Sequence, residues 1–468
     1  MNMQDFTPNS ASTTASKTAW RLWLTILVLG GVFFFVDHDL GISRYPQFAP
    51  WANSDEIIAS GGNAVKGAAL SLIGLLGLYF LMDKEGSKLN LRGITPALMF
   101  FFVAWAAISI IWSIDPPLTA RRVAVLCFYF IGALGIAKQL SDRDLAVAAL
   151  VITAVYLAVG VAAELALGTF RPWAADYRFS GTVHPNTQGL HLMILCMAAF
   201  LLAQANPVAS RRKWLIVLFV LGFVFLLLTK SRTSLAGYLL VMSILWFLQT
   251  TTFNRIVSVV GVSFSLCAAL LIFSLLGFNE KSVLSNTLML GRQDNSEELT
   301  GRLPIWTELM RYVDRRPLIG YGYESFWTAE HIEDLSEDLE WRFRQAHSGY
   351  IDAVLSAGLV GASCLLLIVL IGLYNAAVQF RKNDHICYCL TMGLLIFGLI
   401  DAFLESGMVG ENFVTLLAGC GIIQLACLKS ESDSHVAAVS SREYDSYSST
   451  PIGPNPRVSK PTGCNPWA

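Results

Sequence analysis

Residues 279–349 read NEKSVLSNTLMLGRQDNSEELTGRLPIWTELMRYVDRRPLIGYGYESFWTAEHIEDLSEDLEWRFRQAHSG. This is a polar stretch of about 70 residues, rich in Arg, Asp, Glu and Trp, and the next apolar run begins where it ends. Almost everything on either side of it is apolar. Loops of that length inside a compact chain are uncommon and tend to carry function. The contrast between this stretch and its flanks decides the fold class: an all-α polytopic membrane protein with one large loop outside the bilayer.

Composition points the same way. Of 468 residues, 54% are hydrophobic and 14% charged, against about 25% charged in soluble domains. A hydrocarbon core needs roughly 20 apolar residues per helix. That length predicts spans near 20–36, 64–82, 94–112, 120–137, 145–167, 186–204, 214–229, 233–250, 256–277, 350–374, 386–404 and 410–428, about twelve in all. The expected organisation is a disordered cytoplasmic N-terminus (1–19), nine spans (20–278), the loop (279–349), three spans (350–428) and a disordered tail (429–468) rich in Ser, Pro, Gly and Asn.

Orientation follows from Lys and Arg in short loops. With the N-terminus inside, cytoplasmic loops hold Lys84, Lys88 and Arg92; Lys138 and Arg143; Arg211, Arg212 and Lys213; Arg255; and Arg381 with Lys382. The opposite short loops hold Arg44, Arg171 and Arg178. This bias puts both termini in the cytoplasm and the long loop outside, in a periplasm or its equivalent, and so predicts a multi-pass protein of the bacterial inner (cytoplasmic) membrane.

A formal net charge of -1 excludes the basic footprint of a nucleic-acid binder. Cys127, Cys196, Cys267, Cys364, Cys389, Cys420 and Cys427 lie in apolar runs, where Cys behaves as a small hydrophobe. Cys387 and Cys389 are two apart, which is neither a zinc nor a redox spacing. No paired-carboxylate metal motif is visible in the long loop, which agrees with a site that holds no metal and no cofactor.

The loop has local order of its own. Thr300-Gly301-Arg302-Leu303-Pro304 reads as a helix start, with Thr300 as N-cap and Pro304 in the first turn. Leu303, Trp306, Met310 and Val313 recur at helical spacing and predict the apolar face. Arg315 and Arg316 suit the last turn, and Pro317 ends it. Glu330–Glu340, with Ile332, Leu335 and Leu339 on one face, predicts a second surface helix or a lid.

Four outward-facing places carry chemistry. They are the 178–186 segment with Arg178, His184 and Asn186; the turn with Lys230 and Arg232; Arg302; and His347 at the mouth of the tenth span. Arg clamps diphosphate through paired hydrogen bonds, and His titrates near neutrality and suits a general base. Each has a plainer reading. An Arg at a helix end is often a snorkelling anchor, His184 before Pro185 shapes a turn, and His347 caps a helix. Glu405 and Glu411 read as a solvated rim, and Glu164 as a partner for Arg171 or Arg178. The coincidence of several cations and one His on one side raises the functional reading.

The order of motifs resembles the O-antigen ligase and polymerase family, which includes exopolysaccharide polymerases. The matching pieces are RFSGTVHPNTQG (178–189), LTKSRTSLAG (228–237), TGRLPIWTELMRYVDRRPLIGYGYESF (300–326) and QAHSGYIDAVLSAGLVG (345–361). The resemblance implies a C-type membrane glycosyltransferase fold with an active site on the periplasmic side. Such an enzyme moves a glycan from undecaprenyl diphosphate to a glycan or lipid-linked acceptor hydroxyl, with inversion and without metal, in lipopolysaccharide or exopolysaccharide biosynthesis. By the resemblance Arg178, Arg232 and Arg302 bind diphosphate and His347 is catalytic, with Lys230, His184 and Asn186 auxiliary. Ser348-Gly349 departs from the Asn that many members carry after the His. The implied partners are membrane lipids, a flippase and a chain-length regulator. Two rival classes are a multi-span transporter or flippase of lipid-linked glycans, with a site at the bilayer midplane, and a non-catalytic scaffold.

Overall fold

The computed structural model describes residues 10–37, 64–174, 177–249, 297–339, 345–383, 388–403, 405–406 and 410–428. It is all-helical among these residues. The expected ninth span (256–277) and the tail (429–468) lie outside them.

The helices are α1 (Ser10–Asp37), α2 (Ala64–Met82), α3 (Ile94–Ile108), α4 (Pro116–Gln139), α5 (Asp142–Ala166), α6 (Pro185–Ala205), α7 (Ala209–Leu228) and α8 (Arg232–Gln249). After the gap come α9 (Glu297–Arg315), α10 (Ala329–Leu339), α11 (Gly349–Asn383), α12 (Tyr388–Asp401) and α13 (Phe413–Cys427). Each expected span among the described residues coincides with one of these helices. Among the described residues six helices are long and apolar enough to cross a membrane: α1 from Ala19, α3 with its 3-10 extension, α4, α5, α6 and α11. Shorter apolar helices run Lys66–Met82, Tyr388–Asp401 and Phe413–Cys427. Helix α1 reaches back to Ser10, so residues 10–19 are helical rather than irregular.

Local chemistry sets the ends. Asp115 caps α4 by accepting from Leu118 N at 2.9 Å, with Pro116 in the first turn. Ser141 and Asp144 form a capping box at α5, satisfying two orphan amides reciprocally. Asn412 accepts from Thr415 N at 3.0 Å and starts α13.

Helix α6 is the centre of the bundle. Leu192 to Ala199, Leu201 and Leu202 are all buried, and α6 packs against α5, α7, α8 and α12. The periphery is apolar too, with Leu27, Phe35, Leu72, Leu75, Val217 and Val220 exposed on outward faces. Helices apolar all round are matched to lipid rather than water. At one end of the bundle Arg21 reaches Asp83 and Glu85, both at 2.7 Å, and Gln424 donates to Leu140 O at 2.7 Å. The candidate site is at the other end.

The long loop carries its own small core. Ile305, Leu309, Val313, Tyr321, Phe326, Leu335 and Ala346 cluster with Leu355 of α11. Two expectations are corrected here. Helix α9 starts at Glu297, so Thr300 lies inside it and is not its N-cap, and Pro304 falls in the helix interior; Glu297 and Glu298 are good helix formers and let the helix begin earlier. The buried stripe is Ile305, Leu309 and Val313, while Leu303 and Met310 are exposed at 56% and 45%. The i, i+4, i+8 row faces the core, with Val313 buried as predicted and Trp306 half-buried against it; of the predicted face only Leu303 and Met310 stand on the outer side. Helix α10 forms as expected and buries Leu335.

Helix α11 is not the uniform span the apolar run suggests. It breaks at Gly358 (φ 67°), where the 317–322 turn is seated. Leu359 N donates to Pro317 O at 2.8 Å, and Tyr321 N donates to Leu355 O at 2.8 Å. A Cβ at Gly358 would stand 2.1 Å from Leu318 O, so only glycine admits both the left-handed backbone and the approach. The GYG turn and the SAGLVG segment, far apart in the chain, therefore meet at this break.

Candidate functional site

Arg178 is positioned by a loop packed onto α5. Glu164 is buried (3% exposed) and was expected to pair with an Arg. Its partners are instead Tyr177 Oη at 2.5 Å and the amides of Ser180 (3.0 Å) and Gly181 (2.7 Å). A carboxylate taken out of water needs that many donors, and it fixes the loop by its backbone. Gly181 sits at φ 59° with Gly160 beneath it; a Cβ there would lie 2.7 Å from Gly160 Cα.

The loop and the Lys230 turn are joined. Phe179 N donates to Leu228 O at 2.8 Å, and Arg178 Nε donates to Thr229 O at 3.1 Å. Lys230 adopts φ 50°, which reverses the chain between α7 and α8. Arg232 is the first residue of α8 and is half-buried. Ser234 Oγ lies 3.4 Å from Asn186 O, so the turn abuts the start of α6. His184 is exposed and is the N-cap of α6, its Nδ1 accepting from Asn186 N at 3.3 Å; the turn-shaping reading holds for it.

His347 stands on a strained backbone, φ 49°, a conformation uncommon outside glycine and often found at functional positions. It is clamped on both sides. Ala346 O accepts from Trp306 Nε1 at 2.8 Å, and Ala346 N donates to the Asp352 carboxylate at 3.3 Å. Gly349 N donates to Ala402 O (2.8 Å) and Glu405 O (3.1 Å). Ser348 Oγ donates to Ala402 O at 3.3 Å, which gives the residue after the His a tethering role. Asp352 also accepts from Trp327 Nε1 at 2.9 Å and from Ser406 Oγ. Gln345 Nε2 is 3.3 Å from His347 Nδ1.

These pieces converge on Glu405. Its Oε1 lies 3.1 Å from Asn186 Nδ2 and 3.7 Å from Arg302 Nη2, and its Oε2 lies 4.0 Å from His347 Nδ1. Asn186 Oδ1 in turn accepts from Arg178 Nη2 at 3.2 Å. Arg302, Glu405 and His347 side chains are 17%, 19% and 24% exposed, open enough to meet a ligand and enclosed enough to interact strongly. Arg178, Asn186, Arg302 and His347 thus share one centre at one end of the bundle.

Sequence reasoning missed that centre. Glu405 read as a rim residue because nothing local distinguishes a carboxylate at a turn that points to water from one that points inward. Asp352 carried a usable signal: an acidic residue in the first turns of an apolar span is costly and calls for partners.

A second polar cluster lies nearby. Arg122 Nη1 is 3.1 Å from Glu324 and 3.8 Å from Glu411. Burial pushes the Glu324 carboxyl well above the usual carboxylate range and the Glu411 charge adds to this, with Arg122 pulling it back. A cavity of about 380 Å³, almost wholly apolar, reaches from Glu411, Tyr323 and Gly349 down between α3, α4, α11, α12 and α13.

Residues 217–366 match the sequence model of a family described as O-antigen ligase. The matched segment holds Arg232, Arg302, His347 and Asp352; Arg178, Asn186 and Glu405 lie outside it. The chain is also similar to the exopolysaccharide production protein ExoQ of Rhizobium meliloti (strain 1021), 23% identical over 303 residues, which is 61% of this chain and 66% of that protein. The chain spans just under two thirds of the length of that relative.

Proposed function

With an O-antigen ligase domain as the premise, we propose that this chain is a metal-independent, inverting glycosyltransferase of surface or exported polysaccharide biosynthesis. It takes a glycan from an undecaprenyl-diphosphate carrier and transfers it to an acceptor hydroxyl on the periplasmic face of the inner membrane, with about twelve spans and both termini in the cytoplasm. The observation that carries this reading is the convergence of Arg178, Asn186, Arg302 and His347 around Glu405.

The chemistry follows from the groups. His347 takes the proton of the acceptor hydroxyl as its oxygen attacks the anomeric carbon from the face opposite the leaving group. The bond to the carrier diphosphate breaks, and Arg302 and Arg178, with Arg232 from the start of α8, stabilise the charge that develops on it. Cationic side chains fill the role a divalent ion plays elsewhere. The apolar cavity beneath Gly349 suits a prenyl chain, and a site at the end of the bundle favours transfer over midplane transport. A flippase that supplies the donor and a chain-length regulator are the expected partners.

The test uses purified full-length protein with an undecaprenyl-diphosphate oligosaccharide and EDTA. Transfer by wild type, reduced at least about 10²-fold in His347→Ala and Arg302→Ala, supports the reading, and product size separates ligation from polymerisation. Wild-type transfer by His347→Ala would sink it. Flipping in vesicles without transfer would move the assignment to a transporter.

A further inference from the structure

Glu405 is a carboxylate placed where a diphosphate-binding site wants positive charge. Its presence needs a reason, and the distances supply one. Oε1 is 3.7 Å from Arg302 and Oε2 is 4.0 Å from His347. Both exceed the 2.7–2.9 Å of a closed charge-assisted hydrogen bond, so the carboxylate is shared between the guanidinium and the imidazole rather than committed to either. Among the described residues its one short side-chain contact is the 3.1 Å bond from Asn186, whose other amide atom accepts from Arg178. The backbone of Glu405 is fixed, its N donating to Asp401 O at 2.8 Å and its O accepting from Gly349 N at 3.1 Å. Only the side chain is left to move, and a change of χ angles of well under a turn decides which partner it takes.

We propose that Glu405 is a positioning residue that changes partner: a diphosphate taking Arg302 releases the carboxylate to His347. This rests on the transferase reading above. A diphosphate between Arg302 and Arg178 competes directly with Glu405 for the guanidinium and repels it. The displaced carboxylate has His347 Nδ1 within 4.0 Å of its Oε2, and Gln345 Nε2 also stands 3.3 Å from that nitrogen. There it orients the ring and stabilises the imidazolium that forms when His347 accepts the acceptor's proton, as a buried carboxylate does for a catalytic His elsewhere. Binding of the donor head group is thereby coupled to readiness of the base, so that the acceptor hydroxyl is deprotonated only once the carrier-linked sugar is seated.

The coupling has a signature that a structural role lacks. Removing a residue from a binding site ordinarily weakens binding. Here Glu405→Gln removes a competitor for Arg302, so the full-length protein binds undecaprenyl diphosphate tighter by about tenfold, the scale of one partly solvated charge interaction. Transfer at saturating donor falls about 10²-fold, because the base loses its partner. Affinity and kcat move in opposite directions. In an Arg302→Ala background the tightening disappears, since the two changes act through one contact. Glu405→Asp keeps the charge but withdraws it by one methylene, and it is the second variant should Glu405→Gln not be recovered folded. It also binds tighter and turns over more slowly. Undecaprenyl diphosphate binding by Glu405→Gln or Glu405→Asp equal to or weaker than wild type, with Arg302→Ala clearly weakened, overturns the exchange and leaves the transferase reading intact. Unchanged binding by Arg302→Ala overturns both.

Discussion

Asp352→Ala is expected to disable the site without touching any group that meets substrate. Asp352 sits in the first turns of α11 and accepts four hydrogen bonds: from Trp327 Nε1 at 2.9 Å, from Ala346 N at 3.3 Å to each carboxylate oxygen, and from Ser406 Oγ. It thereby holds the residue before His347, the residue after Glu405 and the loop that follows α9. A hydrogen bond to a charged acceptor contributes about 1.5–3 kcal/mol net. The two 3.3 Å contacts belong at the bottom of that range or below it, and the exposed side of Ser406 is rehydrated on truncation. Some 3 kcal/mol of local ordering is then lost, and at about 1.4 kcal/mol per decade the properly placed His347 turn becomes roughly 10²-fold rarer. A misplacement of about 1 Å alone costs a similar factor. Single-turnover transfer by purified protein, normalised to folded material, reads the rate. Amide exchange over residues 345–350 reads the cause and should rise in parallel. Asp352→Asn keeps one acceptor oxygen and falls between wild type and Asp352→Ala. A wild-type rate from Asp352→Ala, or a slow variant whose 345–350 amides stay protected, would refute the tether.

Gly181→Ala places a methyl 2.7 Å from Gly160 Cα at a residue with φ 59°, so it costs about 2 kcal/mol or more. It lowers the melting temperature in detergent and, by shifting the Arg178 loop, weakens undecaprenyl diphosphate binding; a variant that melts and binds as wild type contradicts the packing described. Glu324 has a folded pKa raised by burial. The stability it contributes is therefore full below the unfolded value and is lost as pH rises through the folded one. Glu324→Gln does not titrate, so its melting temperature should gain on wild type steadily from about pH 5 to about pH 8. A constant difference across that window argues against the buried carboxyl.

The helical architecture was legible in the sequence because the bilayer leaves little choice: a chain inside it must satisfy every backbone amide within its own segment. Apolar runs therefore coincide with α1 to α8 and α11 to α13, although α1 and α11 extend about ten residues beyond the expected spans. The motif resemblance put Arg178, Arg302 and His347 in one set, and the structure brings them together around Glu405.

What the sequence did not decide is how these residues meet. Glu405 is separated from Asn186 by 219 positions and shows nothing locally beyond a carboxylate at a turn. The face of α9 was half legible: Val313 and Trp306 pack inward as expected, but periodicity alone did not say that Ile305 and Leu309, rather than Leu303 and Met310, complete the buried side. The break at Gly358 depends on a turn some forty residues earlier arriving to take the freed backbone groups. Secondary structure here is set by each segment against its solvent, and the site is set by contacts between segments, which only the packed bundle brings into being.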